Sequence, residues 1–199
     1  MKYIWMTLIL FFFLFSSCTN PFSTRIPDEP DLGSDPIGTR SLQTNPDSLL
    51  SKIQLAFRNR DPQSYAECLA DSLNLGTAFS FKPEKDEAYR FFNWQREDEI
   101  IYFTNFVNTQ DLLTLNITYS EVNPWTTISA TTQDTLQTSF SYQILAKFRT
   151  KSEYYQGRTI LRIFKSSAEL WYIYQWEDFK LRSAATDSTW STLKANYRY

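Results

Sequence analysis

Apolar residues recur at helical spacing where the folded part of the chain begins, in "TNPDSLLSKIQLAFRNRD". Asn45 is followed by Pro46, and Asp61 by Pro62. A capping side chain followed by proline in the first turn is typical of a helix start. The pattern therefore predicts two short antiparallel helices. The apolar face of the first is formed by Leu49, Ile53, Ala56 and Phe57.

A third helix is predicted from "NWQREDEIIYFTNFVN", between Trp94 and Asn108. Its acidic residues come early, where the helix dipole favours anions. They are Glu97, Asp98 and Glu99. Ile100, Phe103 and Val107 form one apolar stripe, as expected of a helix with one buried side.

After about residue 111 the hydrophobic period changes to two, which is the period of a half-buried strand. In "TSFSYQILAKFRT" the alternating apolar positions are Phe140, Tyr142, Ile144, Ala146 and Phe148. Further strands are predicted at 112–122, 158–165 and 170–179, and "KSSAE" joins the last two as a hairpin. Short links favour antiparallel pairing. The predicted fold is α+β, with N-terminal helices packed on a strongly curved antiparallel sheet.

The order of these elements resembles the nuclear transport factor 2-like superfamily, also called the SnoaL-like or cystatin-like cone fold. The segments that carry the resemblance are "LLSKIQLAFRNRDPQSYAECLADSLNL" and "GRTILRIFKSSAELWYIYQWEDF", within a region of about 45–190. The resemblance implies helices on the concave face of a bent sheet. Members include isomerases, dehydratases, polyketide cyclases and non-enzymatic modules, so the fold alone does not select a function.

The first 17 residues have the parts of a secretory signal: Lys2, an apolar block at 3–15, and the small residues Ser16 and Ser17. The block is too short for a membrane-spanning helix, which needs about 20 apolar residues. The pattern Phe15-Ser16-Ser17-Cys18 resembles the bacterial lipoprotein box, with phenylalanine where the box typically has leucine. This resemblance implies cleavage before Cys18 and acylation of that cysteine. Ordinary secretion and an uncleaved anchor are the alternatives.

Residues 18–44 are predicted to be a disordered tether, because prolines and acidic residues leave little apolar surface to bury. They include Pro21, Pro27, Pro30, Pro36, Asp28, Glu29, Asp31 and Asp35. Residues 45–199 are then a single domain. The expected location is the bacterial cell envelope, where the acyl chains on Cys18 would bind the membrane. By analogy with enteric lipoproteins, the threonine at position 19 favours the outer membrane.

The amino-acid composition limits the partners and ligands that the chain is expected to have. The net charge is −2, without the basic excess of a nucleic-acid binder, so no nucleic acid is expected as a partner. The chain has no histidine, the commonest general base and zinc ligand, and it has no recognisable metal or phosphate-loop motif. We therefore expect no metal and no cofactor. With Cys18 acylated, Cys68 has no partner for an intramolecular disulfide, and we expect it to be buried as a small apolar residue.

Two functions of different classes remain open. The first is a non-catalytic envelope lipoprotein that binds an apolar ligand, a peptide or a partner protein. The second is a cofactor-independent lyase or isomerase with a buried carboxylate, for which Glu177 and Asp178 are the candidates. We expect these two carboxylates to be solvated turn residues. The candidate ligand-lining residues are Trp94, Tyr142, Tyr172, Tyr174 and Trp176, with packing in the core as the alternative role.

Overall fold

The computed structural model describes residues 43–129, 134–181 and 186–199. The predicted signal, Cys18 and the tether up to residue 42 lie outside these residues. The helices are α1 (Pro46–Asn59), α2 (Pro62–Glu67), α3 (Ser72–Leu75), a 3₁₀ helix (Lys85–Arg90), α4 (Arg96–Val107) and α5 (Trp190–Asn196). The strands are β1 (Ser80–Lys82), β2 (Leu112–Ser120), β3 (Thr126–Ser129), β4 (Thr135–Phe148), β5 (Ser152–Lys165) and β6 (Trp171–Phe179).

The first two helices begin where the sequence predicts. The Asn45 side chain accepts a hydrogen bond from the Asp47 backbone N–H, and the Asp61 side chain accepts from the N–H groups of Gln63 and Ser64. Each cap satisfies donors that the first helical turn leaves unpaired. The predicted apolar face of α1 is confirmed as buried.

The six strands form one sheet in the order β1-β6-β5-β4-β2, and β3 also pairs with β4. Pairing is antiparallel as predicted, except that the short β1 lies parallel to β6. The alternation in β4 and the β5–β6 hairpin are confirmed. Register shifts interrupt three of the strand pairs, and such irregularities bend a sheet. The α+β fold class is therefore confirmed.

The sequence analysis did not predict five elements: β1, β3, α3, the 3₁₀ helix and α5. The first two are very short, and their alternation covers too few residues to give a signal. Helix α5 has a reciprocal cap between Thr189 and Thr192, whereas the usual capping-box signature has Glu or Gln in the second position. This missed helix supplies much of the interior, because Trp190 and Leu193 are fully buried.

Gln43 fastens the start of the domain to the sheet. Its backbone carbonyl accepts from the Trp171 N–H at 2.8 Å, and its side-chain Nε2 donates to the Trp171 carbonyl at 3.1 Å and the Glu67 carbonyl at 2.9 Å. Its Oε1 accepts from the buried Lys52 ammonium at 2.8 Å. The packed region therefore includes Gln43, which the sequence assigned to the tether.

Replacing Gln43 with alanine is expected to destabilise the domain by about 2 kcal/mol, because buried polar groups lose their partners. Urea denaturation measures the change. Gln54→Ala is the matched control: Gln54 also donates to a backbone carbonyl, that of Ile117 at 3.3 Å, but from a more exposed position. Its expected cost is below about 0.5 kcal/mol. Equal costs for the two variants would contradict the role given to Gln43.

Candidate functional site

Glu99 lies in the first turn of α4 and is completely buried. Its Oε1 accepts from the Tyr65 hydroxyl at 2.7 Å, and its Oε2 accepts from the Trp94 indole N–H at 2.8 Å. The Lys194 ammonium lies 2.6 Å from Oε1. The sequence correctly placed Glu99 at the start of this helix, but its burial depends on distant residues that local pattern does not identify.

Lys194 extends from α5 into the same interior and is also fully buried. Its Nζ lies 3.6 Å from the ring centroid of Phe81 and 4.2 Å from that of Trp176. The Tyr102 ring is farther away, at 5.6 Å. Burial lowers the pKa of Lys194, and the carboxylate of Glu99 opposes that shift. The sequence analysis did not identify this buried cation.

Two tyrosine hydroxyls connect the Glu99 carboxylate to the indole of Trp190 in α5. The hydroxyls of Tyr65 and Tyr102 are 3.1 Å apart, and the Trp190 indole N–H donates to Tyr102 at 2.9 Å. Burial raises the pKa of both tyrosines well above the usual range, and the nearby Glu99 carboxylate adds to the shift. Both hydroxyls are therefore neutral at physiological pH.

Asp178 forms a second buried polar centre, on β6. Its Oδ1 accepts from the Tyr142 hydroxyl at 2.6 Å, and its Oδ2 accepts from the backbone N–H and the hydroxyl of Ser191, at 2.7 and 2.6 Å. The Trp190 N–H donates to the Tyr142 hydroxyl at 2.7 Å. Burial raises the pKa of Asp178, and the hydrogen bonds from Ser191 and Tyr142 oppose the shift. The expectation of a solvated turn residue is wrong, because β6 continues past Asp178 and α5 covers its side chain.

The expectation of a solvated Glu177 is also wrong. This residue is only 7% exposed, and its carboxylate is 2.6 Å from Arg162 and 3.1 Å from Lys82. Burial alone would raise its pKa, but hydrogen bonds from Lys82 and Arg162 outweigh that effect and lower it. Neighbouring carboxylates on one strand thus have pKa shifts of opposite sign.

The five aromatic candidates from the sequence do not line one open surface. Trp176 and Tyr142 pack on Trp190, with ring centroids 4.4 and 5.1 Å from it. Trp94 is buried beside Glu99. Tyr172 and Tyr174 are half-buried and pack on Phe164, at 5.9 and 6.1 Å. The structure therefore brings Trp94, Tyr142 and Trp176 to the filled interior, whereas Tyr172 lines a surface groove of about 340 Å³ and Tyr174 lines neither the interior nor that groove.

Two surface grooves are formed by described residues, and neither is lined by Glu99, Asp178 or Lys194. One, of about 340 Å³, lies beside Glu67, Asp71 and Arg96. The other, of about 410 Å³, lies between α1 and β2. Within the described ranges, no cluster of three or more His, Cys, Asp or Glu side chains could hold a metal ion. No helix in those ranges is long and apolar enough to cross a membrane.

Solved structures share this architecture at very low sequence identity. A candidate scytalone dehydratase from Novosphingobium aromaticivorans superposes with a TM-score of 0.51 at 7% identity, over 72% of this chain and 88% of that one. A nuclear transport factor 2-like superfamily protein from Salmonella enterica gives 0.48 at 8% identity, over 75% and 99%. The domain shares its fold with the candidate dehydratase, and nuclear transport factor 2-like proteins are among its structural neighbours. A protein of unknown function from Mycobacterium tuberculosis gives a TM-score of 0.50 at 10% identity, over 76% and 82%.

Sequence comparison adds no closer relationship. No family model matches the chain, and no curated protein matches it by sequence. At identities this low, the structural likeness to the candidate dehydratase and to the Mycobacterium tuberculosis protein shows the fold alone and leaves the function to be argued from the site.

Asp178→Asn is expected to lower the free energy of unfolding by about 2 kcal/mol, because an amide nitrogen cannot accept one of the hydrogen bonds that the carboxylate accepts. Glu177→Gln is the control on the adjacent position. It should cost less than about 1 kcal/mol, because the amide oxygen of glutamine can still accept from Arg162 and because Lys82 is largely exposed. Thermal melts of both variants make the comparison, and a larger loss for Glu177→Gln would refute the assignment.

Cys68 is expected to resist thiol reagents in the folded protein. It is fully buried, as the sequence predicts, and burial raises the pKa of its thiol to about 12. Thiolate is the reactive form, so modification at pH 8 should be slow until the protein unfolds in urea. Mass spectrometry of the peptide containing Cys68 gives the extent of labelling. Rapid labelling without denaturant would contradict the burial.

Proposed function

We propose that this protein is a lipid-anchored protein of the bacterial envelope, whose domain is a non-catalytic module for binding an apolar ligand, a peptide or a partner protein. The observation that carries the proposal is the filled interior. Trp176 and Trp190 pack against each other there, and both are fully buried. Association at the surface, rather than turnover inside the cone, is the function that this packing favours.

The buried carboxylates support the same conclusion. A general base must direct a lone pair at the proton it removes. Both oxygens of Glu99 and both oxygens of Asp178 already accept hydrogen bonds from protein groups. Neither carboxylate lines either of the two grooves described above. A lyase or isomerase would need one of them exposed to a substrate.

The anchor is proposed from the sequence, where Cys18 follows a short apolar signal and two small residues. A single acyl chain gives only marginal membrane binding, whereas several chains on one residue hold firmly. The proline-rich residues up to 42 would then separate the domain from the membrane. The outer membrane is the proposed location.

Cys18→Ala is expected to abolish lipidation, because it removes the proposed acylation site. Cells expressing each variant are fed a fatty-acid analogue, and label on the protein is measured together with its distribution between membrane and soluble fractions. Cys68→Ala is the matched control and should retain both label and membrane association. A wild-type protein that takes up no label and fractionates as soluble would refute the anchor.

A separate experiment tests the non-catalytic role. Asp178→Asn is expressed in the native host at a temperature below its melting point, so that the domain stays folded. Retention of the cellular role is the expected result. Loss of that role in a folded protein would favour the carboxylate-based enzyme.

A further inference from the structure

Strand β2 is the last strand on its side of the sheet. In the part of the chain that the structure describes, β4 is its only strand partner. The strand is nine residues long, and its sequence, LLTLNITYS, contains neither proline nor lysine. Proteins usually protect a sheet edge with short strands, proline or lysine, because its unpaired backbone groups are a template for another strand. Strand β2 has none of these three forms of protection.

A hydrogen bond from α1 shows which backbone groups of β2 point outward. The Ile117 carbonyl accepts from the Gln54 side chain at 3.3 Å, so residue 117 directs its backbone polar groups away from β4. Backbone direction alternates along an antiparallel strand, and Leu115 and Tyr119 therefore direct theirs the same way. These three residues form a row of outward N–H and C=O groups.

The groove of about 410 Å³ between α1 and β2 lies beside this row. On the strand side it is lined by Asn116, Ile117 and Thr118, and on the helix side it includes Leu55 and Arg58. Neighbouring strands lie about 4.8 Å apart, so a peptide bonded to the outer edge of β2 would occupy the groove. The same groove thus presents backbone groups for pairing and side chains that can select a sequence.

The side chains of the groove favour an acidic peptide. Arg58 is exposed, and among the described residues no hydrogen bond or ion pair engages its guanidinium. No acidic side chain is among those that line the groove. Leu55 lies three residues earlier on α1 and is half-buried, so it offers an apolar contact about 4.5 Å along the helix. Side chains two residues apart on a strand are separated by about 6.8 Å, a difference that the long arginine side chain can span.

We propose that the outer edge of β2 and the facing side of α1 bind an extended acidic peptide segment of a partner protein, which joins the sheet as an antiparallel strand. Backbone hydrogen bonds supply the affinity, and Arg58 and Leu55 supply the selectivity. A second copy of this chain fits less well, because pairing β2 with β2 would bring another α1 with its own Arg58 to the same edge. The inference rests on the proposed binding role and names the class of its partner.

A defined peptide tests the site. In the labelled probe, threonine occupies every other position, and valine, glutamate and valine occupy the positions between. Fluorescence anisotropy with the purified full-length protein should show saturable binding. In an antiparallel addition, the peptide residues that bond to β2 have side chains on the same face as those of Leu115 and Ile117. The valines and the glutamate of the probe take these positions.

N-methylation of the probe distinguishes strand addition from other modes of binding. It removes one backbone N–H donor and leaves the side chain unchanged. At the glutamate, it should weaken binding by about tenfold, because the lost donor faces β2. At an adjacent threonine, whose N–H faces away from β2, the change should be below about threefold. Binding through charge alone would show no such alternation.

A charge exchange tests the role of Arg58. Arg58→Glu should weaken binding of the glutamate probe by at least about fivefold, because attraction is replaced by repulsion. The same variant should prefer a probe with lysine in place of the glutamate. Arg158→Glu is the matched control, since Arg158 is also exposed but lies on β5 and does not line the groove. It should leave the affinity for both probes unchanged, and thermal melts of the two variants check that each is folded.

The expected result is saturable binding, an alternating effect of N-methylation and a reversed charge preference in Arg58→Glu. The proposal is overturned by absence of saturable binding, by equal effects of N-methylation at adjacent residues, or by an unchanged charge preference. Self-association of the protein that the probe competes with would assign the edge to a second copy and also overturn it. None of these outcomes alters the lipidation result or the cellular test of Asp178→Asn, so failure here is distinguishable from failure of the proposed function.

Discussion

The ion pair between Glu99 and Lys194 joins the helical layer to the C-terminal helix across the inside of the sheet. Burial of the pair has a large desolvation cost, because each charge has lost its water and is compensated mainly by the other. The hydrogen bonds from Tyr65 and Trp94, and the aromatic faces around the ammonium, supply the rest of that compensation. This contact helps to hold α5, and with it the buried Trp190, against the interior of the domain.

Asp178 gives α5 a second attachment that differs in kind. It accepts hydrogen bonds from Ser191 at the start of the helix, whereas Lys194 is one turn further along. Two attachments on one short helix fix both its position and its rotation. A seven-residue helix has little stability of its own, so these tertiary contacts determine that it forms.

The spacing of apolar residues predicted those helices and strands that are long enough to show a clear period. Helix α1, with its cap at Asn45, and strand β4 are long enough for the spacing of apolar residues to decide. The hairpin of β5 and β6 also follows from a short polar link between two apolar runs. The α+β fold class then follows from the order of the elements.

The charged interior could not be predicted in the same way. Glu99 lies in an acidic run that is typical of a solvated helix start, and its partner Lys194 is far away along the chain. Asp178 stands at a strand end, where charge is usually exposed. Burial in both cases is decided by α5, whose sequence gives only a weak helical signal. One missed helix therefore accounts for most of what the sequence left undetermined about the interior.

The contacts of the last residues have a consequence for how the chain matures. Arg198 pairs with Asp98, and Lys194 with Glu99, so the final turn of the protein closes contacts with its middle. Gln43 similarly bonds to Trp171 across most of the domain. Such long-range closure slows folding, since the entropy of the intervening loops is lost before the contacts form. A nascent chain cannot complete its interior until residues 190–198 have left the ribosome, so the helices and strands made before them lack these contacts in the interval.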